Sequence, residues 1–161
     1  MGFAAYQSQD ELDGAGCMIA GLTNAGSIPV LERTMQFAGQ RHALIVHNIA
    51  NLSTPDYRPL DVSVSAFQKQ LGEAMDDRRA RHGNRGGELK LPSSSEVEVN
   101  DREMTLHPTP AGENILFHDE NDRDLERTMQ HMVENFTMYR SAAQFLRREF
   151  ETLNLAIRER L

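Results

Sequence analysis

The sequence predicts a mainly α-helical fold. Long heptad helices near the N- and C-terminal ends pair as a coiled coil, with a small irregular or β-containing middle segment. Three observations lead there. Apolar residues recur at alternating steps of four and three in two separated stretches, 31–52 and 125–157. Helical periodicity is absent from 82–120, where Gly, Pro and Ser collect. The chain has 161 residues, 39% of them apolar, which suits about one domain.

Residues 1–27 are small and polar, with glycine at positions 2, 14, 16, 21 and 26, and read as a flexible N-terminal arm. The stretch 28–58 holds the first long helix. Pro29 suits a first turn, where its missing N–H is not needed. Leu31, Met35, Ala38, His42, Ile45, Ile49 and Leu52 then form a seam, six of the seven apolar. Ser53-Thr54-Pro55 ends the helix, because a residue before proline is pushed out of the α region. A shorter helix is expected within 59–81, with Val64, Phe67, Leu71 and Met75 on one stripe. In 82–120, Glu96-Val97-Glu98-Val99 and Met104-Thr105-Leu106 alternate as short strands do, before Pro108 and Pro110 break any continuation. This segment reads as a small β-rich insertion or as partly disordered.

Residues 121–161 carry the strongest pattern. Leu125, Met129, Met132, Phe136, Tyr139, Ala143, Leu146, Phe150, Leu153 and Ile157 keep strict alternation of four and three, with no Gly or Pro after Asp124. Asn121 and Asp124 offer a cap and negative charge at the helix start. A sustained 3.5-residue repeat implies a left-handed coiled-coil seam. Roughly 37 helical residues reach about 55 Å, whereas a compact globule of this length is only about 40 Å across. An elongated molecule is therefore expected. The first helix offers a shorter seam, so the excess of the second should dock on other copies or other proteins.

Composition narrows the function. Seventeen basic against 24 acidic side chains give a net charge of −7, which argues against a nucleic-acid-binding surface. Cys17 is the single cysteine, so neither an intramolecular disulfide nor a cysteine-cluster zinc site is available. No apolar run approaches the ~20 residues that span a bilayer, so no direct membrane insertion is expected. The N-terminus lacks the basic and apolar regions of a cleaved secretory signal. His42 and His47 point to different helix faces, while His82, His107, His118 and His131 have no ligand-like spacing, so no metal site is expected. No nucleophile elbow, phosphate loop or dinucleotide fingerprint is present. No enzyme activity, catalytic residue or cofactor is therefore expected. Asp119, Glu120, Asp122 and Asp124 read as a helix start, and Arg78, Arg79, Arg81 and Arg85 as a solvated linker or an electrostatic docking point.

One motif exceeds generic helix chemistry: His47-Asn48-Ile49-Ala50-Asn51-Leu52-Ser53-Thr54-Pro55-Asp56-Tyr57. Asn48 and Asn51 share one face of the last turns. Their amides are suited either to tying off terminal carbonyls or to bridging to a neighbouring chain. Asn48, Ile49, Ala50 and Asn51, followed by Thr54, Pro55 and Tyr57, resemble the N-terminal signature of bacterial flagellar rod and hook proteins. The stretch Asn121-Asp122-Arg123-Asp124-Leu125-Glu126-Arg127-Thr128-Met129, with Glu134-Asn135 and Tyr139-Arg140, is similar to the FlgB type of proximal-rod protein. The likeness covers about two-fifths of the chain, at both ends. His47 departs from it, replacing an asparagine, and Asp56 replaces the glycine before Tyr57, where positive φ would be natural. The first 27 residues are longer than the family's usual lead.

The resemblance implies a structural subunit of the flagellar basal-body rod, needed for assembly and motility and exported by the flagellar type III apparatus without a cleaved signal. Its implied partners are other rod subunits, further copies of itself, and the inner-membrane ring and export apparatus. It further implies termini that become paired helices on assembly. A soluble coiled-coil adaptor or export chaperone stands as the alternative.

Overall fold

The structure, a computed structural model, describes residues 26–82, 87–100, 103–110 and 125–159. Their elements run in the order α1 (Ile28–Ala50), β1 (Leu60–Asp61), α2 (Val64–His82), β2 (Val97–Val99), β3 (Met104–Leu106), β4 (Thr109–Pro110) and α3 (Leu125–Arg158). Almost all of the expected N-terminal arm lies outside the described residues. So do Cys17, Arg85, His118, and the acidic start around Asn121 and Asp124.

α1 opens at Ser27 with Pro29 in its first turn. The Ser27 hydroxyl does not cap α1; it donates to Glu149 Oε1 of α3 at 2.7 Å. The helix ends at Ala50, three residues before the expected Ser53-Thr54-Pro55 stop. The Asn51 side chain and backbone N–H both close on His47 O, and tight turns follow. α2 begins after Ser63, whose hydroxyl accepts the Ala66 N–H at 3.2 Å, an N-cap.

The main core lies between α1, α2 and the middle segment, not between the two heptad seams. Phe37, Val62, Phe67, Leu71, Ala74, Leu89, Leu91, Val97 and Met104 form it. Phe37 stacks on Phe67 with ring centroids 4.0 Å apart. The described part of the middle segment is thus an integral wall. β2 and β3 pair antiparallel with Val97 opposite Leu106 and Val99 opposite Met104, which turns Val97 and Met104 inward. Gln40 and Gln70 reach across to Met104 O and Pro92 O, and Glu96 Oε2 accepts the Ser63 N–H.

Pro108 and Pro110 predict an end to strand structure, yet Thr109–Pro110 pairs antiparallel with Leu60–Asp61. Both sheets among the described residues have two strands, so β4 is an edge, where a missing N–H on the outer side is tolerated.

α3 runs antiparallel to α1. Glu149 sits at the head of α1, and Asn135 donates to Ala38 O at 2.8 Å farther along. The packed face of α3 carries buried Asn135 and Ala142, with half-buried Met138, Leu146 and Glu149. It stands one residue away from much of the heptad seam. Met132, Leu146 and Leu153 are half-buried, while Leu125, Met129, Phe136, Tyr139, Phe150 and Ile157 are exposed. This packing does not show a coiled coil between the two seams. A 3.5-residue seam on a straight α-helix drifts ~20° per heptad, and the 23 residues of α1 cannot follow it along the 34 of α3.

Candidate functional site

Two features stand out: the corner after α1, and the outer face of α3. The corner is built on Asn48, 9% exposed. Its Nδ2 donates to Leu60 O at 2.7 Å, and its Oδ1 accepts the Leu60 N–H at 3.1 Å and the Tyr57 hydroxyl at 2.8 Å. The amide thus pairs with one residue's backbone as a strand neighbour would, and holds β1 against the helix. Within the single chain these bonds are not a helix cap but a brace between α1 and β1. Asn51 does cap: its Nδ2 donates to His47 O at 2.9 Å.

Tyr57 returns over the end of α1. Because its proton goes to Asn48, the bond to His47 Nδ1 at 2.9 Å has the imidazole as donor, a tautomer assigned from the network. Burial raises the Tyr57 phenol above its ordinary value. The return needs the sharp turn at Asp56, whose φ is +58°. Asp56 therefore occupies the left-handed region that glycine would take, a conformation that Asp adopts more readily than most residues. Of the other motif residues, Ile49 is half-buried, while Ala50, Thr54 and Pro55 are exposed.

Next along α1, Arg41 makes a two-pronged bond to Asp61, from Nε at 2.8 Å and Nη2 at 2.6 Å, with the guanidinium almost fully buried. Phe37, Arg41, Leu44 and Asn48 form a second stripe on α1, also at steps of four and three. Sequence reasoning missed it because two of its four members are polar. The expected seam of α1 shares the helix: Ala38 and Ile45 are buried, and Leu31, Met35 and Ile49 are half-buried.

The outer face of α3 is apolar and uncovered among the described residues. Leu125, Met129, Val133, Phe136 and Tyr139 lie on it at three- and four-residue spacings, with Phe136 52% and Val133 64% exposed. The single chain leaves this row of side chains open to solvent. Of the basic knot, Arg78 is buried and donates to Gly26 O, which pins the head of α1 to α2. Arg79 pairs with Asp76 across a solvent-exposed gap. Among the described residues, no group of three or more His, Cys, Asp or Glu is placed to hold a metal ion. No described helix is long and apolar enough to cross a membrane. The arrangement is chemically a brace and a sticky face.

No protein-family model matches the chain. Over 136 residues the chain is 24% identical to the flagellar basal body rod protein FlgB of Borrelia hermsii, covering 82% of this chain and 96% of that one.

Proposed function

We propose that this chain is a non-enzymatic structural subunit of the bacterial flagellar basal-body rod, in its proximal part. In this reading it is exported by the flagellar type III apparatus and packs against other rod subunits, against copies of itself and against the inner-membrane ring. The observation that carries the reading is the uncovered apolar stripe on α3. Burying an exposed side chain such as Phe136 is worth about 1.5–3 kcal/mol, so a row of them is a reservoir of association energy that the single chain leaves unused. The near end-to-end match to a rod protein supports it, as does the Asn48-to-Tyr57 motif. The heptad seam, from Leu125 through Met129, Met132, Phe136, Tyr139, Leu146, Phe150, Leu153 and Ile157, forms coiled-coil contacts in the assembled state.

The test is Phe136→Asp in the organism's own chromosome. Because Phe136 is half exposed, the isolated variant should melt within about 0.5 kcal/mol of the parent. Subunit recovered in purified basal bodies should nonetheless fall sharply, with motility, because a carboxylate in a closed interface is costly. Normal incorporation would remove the stripe from the assembly interface. A closed dimer whose mass saturates with concentration would favour the adaptor or chaperone reading instead.

A further inference from the structure

Heptad seams have a weakness: every repeat resembles the next, so a partner helix can slide by seven residues and still meet apolar side chains. α3 has 34 residues against 23 in α1, which leaves room for such a slip. Something other than periodicity must choose the observed alignment.

We propose that Asn135, with Glu149 as a second pin, locks the register of α1 on α3. Asn135 is 1% exposed, and its Nδ2 donates to Ala38 O at 2.8 Å. Its Oδ1 is buried with no hydrogen-bond partner among the described residues. A buried amide holding only one bond is a poor source of stability but a sharp source of specificity. The acceptor residue, Ala38, is itself fully buried.

The residues seven apart on this line of α3 are Thr128, Asn135, Ala142 and Glu149. Sliding α1 by one heptad toward the C-terminus of α3 would place Ala142 opposite Ala38. Asn135 would then stand opposite Ile45, whose branched side chain is far bulkier than the Ala38 methyl beside which the amide now sits, and it would lose its bond to Ala38 O. Glu149 would lose the Ser27 hydroxyl, which it now accepts at 2.7 Å. The observed register is the one that keeps both of these bonds while setting the Asn135 amide against the small Ala38. This inference concerns the single chain and holds whether or not the chain builds a rod.

The test uses the full chain with Cys17→Ser, and spin labels on Ala43→Cys and Asn154→Cys, both exposed and well separated along the helix pair. A slip of one heptad changes their distance by about 10 Å, at ~1.5 Å per residue. The parent should give one distance. Asn135→Leu should remain folded and add a second population, shorter by about 10 Å. Moving the amide by one repeat, with Asn135→Ala and Ala142→Asn, should shift the main distance the same way, because the relocated amide then meets Ala38 O. A single unshifted distance in either variant overturns the proposal. Loss of helicity in Asn135→Leu overturns it too, since the side chain would then be needed for folding rather than for alignment.

Discussion

Asn48→Ala should destabilise the isolated chain far more than Asn51→Ala, although the two residues look equivalent in the motif. The Asn48 amide makes three hydrogen bonds, two to the Leu60 backbone and one from Tyr57. Each is worth about 0.5–1.5 kcal/mol net, and each buried group left unpaired costs about 1–3 kcal/mol. Leu60 and Tyr57 are only half-buried, so water recovers part of that loss. The expected cost is about 2–4 kcal/mol, or a melting temperature lower by about 6–12 °C at this chain size. Asn51 closes one carbonyl at an exposed helix end, a loss of about 0.5–1 kcal/mol. Urea unfolding followed by far-ultraviolet circular dichroism measures both, with an unchanged m-value showing that the unfolded state is the same. Equal effects from the two substitutions, or a loss below about 1 kcal/mol for Asn48→Ala, would refute the brace.

Three further outcomes are expected. Asp56→Gly should stabilise by about 0.5–1 kcal/mol because φ is +58° there, while Asp56→Val should destabilise, both read from thermal melts. Arg41→Ala should cost about 3 kcal/mol by stranding Asp61, whereas the paired change Arg41→Met with Asp61→Leu should cost much less in the same unfolding assay. Burial raises the Tyr57 phenol, so folding favours its neutral form. Its contribution is therefore complete below the ordinary value of 10.0 and is lost as pH rises through the higher folded value. Tyr57→Phe should remove that part of the alkaline loss of stability.

The long helices were legible because periodicity is a property of one chain segment. Leu125 through Ile157 repeat strictly enough to announce a helix without any partner. The motif from Asn48 to Tyr57 was legible as a unit, and Asp56 as the place where the turn would be strained. What Asn48 touches was not legible. Its two partner atoms on Leu60 lie twelve residues away, and nothing in local spacing distinguishes it from Asn51.

The sequence by itself determined the helical class, the helix lengths and an apolar seam too long for its own chain to cover. Tertiary structure decided which faces meet. An apolar pattern counts Arg41, Asn48, Gln70, Arg78 and Asn135 as surface, yet all five are buried. They are held there by specific partners: Asp61, Leu60, Pro92 O, Gly26 O and Ala38 O. Such residues choose face and register because a polar group out of water is tolerable only where its partner stands, whereas apolar contacts are satisfied at many alignments. In the middle segment the alternation at Glu96–Val99 and Met104–Leu106 was legible as strand, and Val97–Val99 does pair with Met104–Leu106. Its place was not legible, because only packing against Phe37 and Phe67 makes it a wall of the core.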